Sequence, residues 1–227
     1  MKKIIILIFV LLFSLISEAQ YSRRVVFQPE MYIGLSGGLN SYWGEGFTSY
    51  MQTIPQNSLG PMGRAVIGFR FSPFLGLRIS PGFAIHNWPD NRRNDSIVNF
   101  SSDNLTFDLM VNLSNVFYYQ QARNFNLYLF GGAGVAFRNP APLLHGSLLT
   151  PVLRGGLQGD IALTDALDLN LSGELNLVTD SFNGYPATGF DGTPVDLYPA
   201  LMVGLTYHFK SSKKPCYFKT MRVFCSR

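Results

Sequence analysis

The feature that most constrains this chain is a period-two alternation that recurs in eight stretches, near 31–43, 63–72, 75–87, 104–114, 125–137, 151–163, 167–178 and 197–209. That period sends successive side chains to opposite faces of a strand. Over 197–209, Leu201, Val203, Leu205, Tyr207 and Phe209 share one face, and Met202, Gly204, Thr206 and His208 the other. Over 167–178, Leu167, Leu169, Leu171, Leu175 and Leu177 oppose Asp168, Asn170, Ser172, Glu174 and Asn176. Over 104–114, Leu105, Phe107, Leu109, Val111 and Leu113 oppose Thr106, Asp108, Asn112 and Ser114.

A soluble β-sandwich also alternates, but its water-facing side is dressed in Lys and Glu. Here the polar faces are short of both and carry glycines, including Gly34, Gly38, Gly68, Gly132, Gly134, Gly156 and Gly204. Small side chains suit the crowded interior of a narrow barrel. Charged residues are 14% of the chain, about half the usual share. Beyond the first twenty residues no apolar run approaches the ~18 that a spanning helix needs. The expected fold is therefore all-β: an eight-stranded antiparallel up-and-down transmembrane barrel.

The N-terminus reads as a secretory signal peptide over 1–19, with Lys2 and Lys3, an apolar run from Ile4 to Ile16, and small residues Ser17 and Ala19 before a cut at Gln20. The barrel is expected over 20–209 and a tail over 210–227. The net charge of +4 misleads, because the body from Gln20 to Phe209 holds 10 basic and 13 acidic residues while the tail is basic with no acid. Nucleic-acid binding is not expected. Both cysteines, Cys216 and Cys225, lie in the tail, and in an oxidising compartment they are candidates to close a small loop.

Connections alternate in length. Those around Pro73–Phe74, 115–124 and Thr164–Ala166 read as short; 44–62, 88–103, 138–150 and 179–196 read as long. Outer-membrane barrels have short periplasmic turns and long outer loops, so both mature termini are expected on the periplasmic side. Pro81, inside the third stretch, fits only at a bulge or at a position without a ladder bond.

Three motifs carry a resemblance: Phe107-Asp108-Leu109-Met110-Val111-Asn112-Leu113-Ser114-Asn115 with the later Gly131-Gly132-Ala133-Gly134; Leu163-Thr164-Asp165-Ala166-Leu167-Asp168-Leu169; and Val203-Gly204-Leu205-Thr206-Tyr207-His208-Phe209. Across 30–209 the chain resembles the OmpA-type eight-stranded barrels of the Bacteroidetes outer membrane. The resemblance implies a porin-like envelope protein. It also implies that Val203, Leu205, Tyr207 and Phe209 form the terminal-strand signal read by the barrel assembly machinery. The same aromatics suit a membrane-interface belt. Larger relatives continue into a peptidoglycan-gripping domain; no residues here correspond to it.

The inward faces collect Arg64, Arg70, Arg78 and Arg154 with Asp108, Asp160, Asp168 and Glu174. In a narrow lumen such charges must pair. They read first as a plug that holds register, and second as a selectivity or gating network. No catalytic residue, metal site or cofactor is expected. His86 is inward near the outer end of its strand with no serine placed as a nucleophile beside it, His145 lies in a loop, and His208 is inward at the periplasmic end. Trp43, Tyr50, Trp88, Phe100, Phe182, Tyr185 and Phe190 are expected on the outer loops, as a belt, loop packing or a partner surface. The tail pairs a basic linker, Lys210–Pro215, with an apolar group of Tyr217, Phe218, Met221, Val223 and Phe224. It reads as a closed peg, a vestige of a domain, or a docking peptide. The expected role is structural, in contact with outer-membrane lipid; an accessory subunit of a larger outer-membrane complex and a narrow pore are the alternatives.

Overall fold

The computed structural model describes residues 25–43, 59–90, 96–120, 123–139, 148–179, 182, 195–209, 216–219 and 222–225. The signal peptide, the linker 210–215, His145, and the aromatics Tyr50, Tyr185 and Phe190 lie outside the described residues, as does the Trp88 side chain.

Eight strands close into one antiparallel barrel. After the short β1 (Val25–Phe27) they run β2 (Glu30–Ser41), β3 (Leu59–Arg70), β4 (Leu75–Asp90), β5 (Ser96–Asn112), β6 (Phe125–Arg138), β7 (Leu148–Ala162), β8 (Leu167–Thr179) and β9 (Val195–Phe209). Each pairs with its sequence neighbour, and β9 closes on β2 from Met31↔Phe209 to Asn40↔Ala200. At 12 to 17 residues, every strand exceeds the roughly 9–11 needed to cross a bilayer. Two further strands, β10 (Cys216–Lys219) and β11 (Arg222–Cys225), join β1 in a separate sheet of order β1-β10-β11. So Val25–Phe27 pairs with the tail and not with the barrel.

Burial follows the alternation. Leu35, Ile67, Leu77, Phe107, Leu129, Leu153, Leu171 and Leu201, one from each strand, are all exposed on the outside. An apolar band around a whole sheet far exceeds the patches of roughly 300–600 Å² that soluble monomers carry. Inward positions hold Tyr32, Arg64, Arg78, Asp108, Phe130, Arg154, Glu174 and Met202, all buried. Close approach across the wall sets where small residues are needed. At Gly68 an added Cβ would lie 2.0 Å from the Tyr32 ring, which packs over that glycine.

One end of the barrel, the turn end, is built from side-chain bonds to backbone. Ser72 Oγ accepts from the Leu75 N–H (2.9 Å), and Thr164 Oγ1 from the Leu167 N–H (3.1 Å). Between β5 and β6 lies α1 (Leu113–Phe117), whose N-cap Asn112 accepts from the Asn115 N–H. Asn115 Nδ2 donates to the Pro73 carbonyl (2.9 Å), tying two turns together.

One expectation needs correction, and two gain detail. The stretch 88–103 is not a long loop: β4 and β5 stay paired out to Asp90↔Ser96. Here Asp103 faces out and is exposed, Ser101 is half-buried outside, and Phe100 and Ser102 turn inward. The strand continues beyond the apolar band, so its outward residues become polar and imitate a loop. The connection 115–124 begins inside α1. Pro81 occupies the second of the two settings expected of it, a position without a ladder rung to β3, and there is no bulge. Arg64↔Gly82 and Ile67↔Ile79 keep one register, and the rungs between them are missing on the β3 side while Pro81↔Leu105 is kept on the β5 side.

Candidate functional site

The alternation turns the even-numbered residues of the barrel strands inward along the described wall, and so brings all eight sequence-nominated charges into the lumen. They join in one chain of contacts. Arg64 grips Glu174 with two parallel bonds, one of them Nη2 to Oε1 at 2.6 Å. Arg154 Nη1 lies 4.0 Å from Glu174, and the same guanidinium grips both oxygens of Asp108. Arg78 Nε donates to Asp108 Oδ2 (2.6 Å) and its Nη1 to Gln158 Oε1 (2.6 Å); Gln158 Nε2 donates to Asp160 Oδ1 (2.7 Å). Arg70 Nη2 lies 3.5 Å from Asp160, and Arg70 Nη1 donates to Glu30 Oε1 (2.8 Å). His208 Nε2 is 2.9 Å from Asp168 Oδ2, and its Nδ1 3.5 Å from Glu30.

Strand β6 supplies two rings to this network; its own charge, Arg138, is buried toward the loop end, where Nη1 donates to the Phe182 carbonyl (3.0 Å). Phe130 lies 4.2 Å under the Arg78 guanidinium, and Tyr128 lies 5.1 Å from that of Arg70, with Tyr32 of β2 at 5.3 Å. Such contacts stabilise a desolvated cation. Every strand of the barrel thus holds a member of the network. Sequence reasoning omitted Glu30, Gln158 and the two rings. Glu30 precedes the first alternating stretch, and the others are neutral, so a search for charges passes over them.

Toward the loop end the filling changes. His86 is fully buried; its Nδ1 is 2.9 Å from Asn40 Oδ1 and its Nε2 is 2.9 Å from Ser102 Oγ. Asn40 Nδ2 donates to the carbonyls of Gly60 and Ile85, both at 3.0 Å. That orients its Oδ1 to accept, which puts the imidazole proton on Nδ1 and leaves Nε2 to accept from the serine. The expectation that no serine stands beside His86 is therefore overturned. The pairing crosses from β4 to β5, so no spacing within one strand reveals it. The arrangement has the order of a nucleophile, a base and an orienting group, but Tyr42, Phe100, Phe182 and Tyr198 enclose the imidazole with ring centroids 4.9 to 5.9 Å away. Ser102 has no exposure at all. Phe100 and Phe182, expected on the outer loops, are members of this buried cage. Phe100 is inside because β5 runs further than its sequence suggests.

Within the charged part of the lumen lies a cavity of about 20 Å³, lined by Tyr32, Arg64, Val66, Arg78 and Gln158 among others, room for about one water. At the turn end a mouth of about 430 Å³ opens among Arg70, Asn112, Asn115, Tyr119, Arg123 and Tyr128. Burial pushes the Tyr119 phenol up from its ordinary value. Among the described residues no group of three or more His, Cys, Asp or Glu is arranged to hold a metal. The terminal-strand residues Val203, Leu205, Tyr207 and Phe209 all face out and are exposed, with the last two rings 5.2 Å apart.

The protein is thus an eight-stranded antiparallel barrel closed on itself, with a filled interior. No protein-family model and no curated protein matches the sequence. Neisserial surface protein A, in its crystal structure, aligns with a TM-score of 0.53 at 10% identity, over 81% of this chain and 100% of that chain. A major outer membrane protein from Thermus thermophilus aligns at 0.49 and 14% identity, over 79% and 99% of the two chains. Ail, the attachment invasion locus protein of Yersinia pestis, aligns at 0.47 and 13%, over 81% and 100%. The first of these establishes a shared fold and nothing finer.

Proposed function

We propose that this chain is an outer-membrane barrel with a structural, non-enzymatic role in the envelope, its loops outside and both mature termini on the periplasmic side. The observation that carries this reading is the pairing of an apolar outer face on all eight strands with a lumen filled side chain to side chain. Lipid is the solvent such an outer face requires. The exposed run Val203, Leu205, Tyr207 and Phe209 is the segment the assembly machinery would read, and the kinship with OmpA-type barrels of the Bacteroidetes belongs to this same reading. The interior cavity of about 20 Å³ weighs against a pore. The test is heat-modifiable gel mobility of protein from the outer-membrane fraction. A soluble periplasmic protein with unchanged mobility contradicts the proposal.

A second reading, accessory subunit of a larger outer-membrane complex, is favoured by one feature: the sheet β1-β10-β11, which barrel closure does not use. It expects a stoichiometric partner in gentle detergent extracts that is lost when 210–227 is deleted. Absence of any stoichiometric partner from the intact protein contradicts it.

A further inference from the structure

The segments that flank the barrel in sequence meet outside it. β1 pairs with β10 through Val25↔Phe218, Val26↔Tyr217 and Phe27↔Cys216. β10 pairs in turn with β11 through Cys216↔Cys225, Tyr217↔Phe224, Phe218↔Val223 and Lys219↔Arg222. These strands are only 3 or 4 residues long, and sheets so small are marginal in water without a staple. The chain's 2 cysteines are the one directly opposed pair at the open end of the β10–β11 hairpin. Opposed Cα atoms in an antiparallel ladder lie about 4.5–5.5 Å apart, inside the roughly 4.4–6.8 Å that a disulfide spans.

We propose that Cys216 and Cys225 form a disulfide that closes the β10–β11 hairpin and so holds Val25–Phe27, clasping the two segments that flank the barrel together at its turn end. This rests on the chain reaching an oxidising periplasm. One cysteine thiolate attacks the disulfide of a periplasmic dithiol–disulfide exchange protein and forms a mixed disulfide. The second thiolate then attacks the sulfur of the first and releases the carrier as its dithiol. The two cysteines lose two electrons and two protons, and the carrier gains them.

The clasp has a consequence at the mouth. Phe27 and Gln28 line the cavity there together with Glu30, Arg70 and Arg123. Pinning β1 to the hairpin fixes that wall, because only residues 28 and 29 separate β1 from β2.

The test uses the full-length protein extracted from outer membranes with N-ethylmaleimide present throughout. The expected result is an intact mass with no adduct before reduction and two adducts after it. Two adducts without reduction, or a bond from either cysteine to another chain, overturns the clasp. Amide hydrogen exchange then compares this protein with the Cys216→Ser/Cys225→Ser variant. Closing a loop on the order of ten residues shifts the hairpin equilibrium by about one to two orders of magnitude. Exchange at Val26 and Phe27 is therefore expected to accelerate about tenfold or more in the variant, with β2–β9 unchanged. Equal exchange in both proteins overturns the clasp. Heat-modifiable mobility on the same samples separates the two levels. A heat-modifiable membrane barrel with free thiols sinks the clasp alone, whereas soluble protein of unchanged mobility sinks the barrel reading beneath it.

Discussion

Toward its turns the lumen is charged, with Arg70, Arg78, Asp108, Arg154 and Asp160 linked through Gln158 into one network. Toward its loops it is aromatic, with Tyr42, Phe100, Phe182 and Tyr198 around a single imidazole. Both halves exclude water, but the charged half specifies more strongly how the strands line up, since the loop half holds fewer directional contacts, chiefly those of Asn40, His86, Ser102 and the buried Arg138 and Asp196. A slip of one residue in β3, β4, β5, β7 or β8 would turn an arginine or a carboxylate out into the apolar band, and the partner left behind would be a buried charge. The aromatic half tolerates shape changes better, because ring packing is less directional than a two-pronged guanidinium–carboxylate bond.

That contrast orders the expected effects of substitution, read as shifts in the urea midpoint of folding into lipid vesicles. Asp108→Ala removes the acceptor shared by Arg78 and Arg154 and leaves both buried. Breaking a buried pair in this way costs about 3–5 kcal/mol. A loss under 1 kcal/mol would mean that the network does not hold the strands. In the aromatic half, His86→Ala leaves a cavity and strands Asn40 Oδ1 and Ser102 Oγ, for a loss of about 2–4 kcal/mol. If it proves as costly as Asp108→Ala, the two halves are not distinct in kind. The same cage should keep Ser102 unlabelled by a fluorophosphonate probe in folded protein, and labelling there would reveal a reachable nucleophile. Gly68→Ala drives a methyl into the Tyr32 ring and is expected to cost about 1–3 kcal/mol by overpacking. The smallest effect belongs to Asn115→Ala at the turns, which loses the bond to the Pro73 carbonyl, about 1 kcal/mol.

Much of this was legible in the sequence because a barrel strand writes its two faces at period two. Leu171 and Ser172, or Phe107 and Asp108, announce outside and inside without any knowledge of neighbours. Where the environment changes along a strand the pattern fails. Ser101 and Asp103 lie outward beyond the apolar band, so β5 looked like a loop and Phe100 like a loop aromatic. The partnerships were not legible either, since Asn40, His86 and Ser102 come from three strands and meet only through register. The union of Val25–Phe27 with the tail was equally hidden, because strands of 3 and 4 residues are too short to show a period. Composition located the charges, but only the closed barrel shows that Glu30 and His208 complete them.

The central claim is that these two fillings together seal the lumen, and ion conductance of the folded protein in a planar bilayer tests it most directly. No stepwise current above the bare membrane is expected at any moderate voltage, with heat-modifiable mobility confirming that the inserted protein is folded. Stable unitary currents from that same folded protein would contradict that claim.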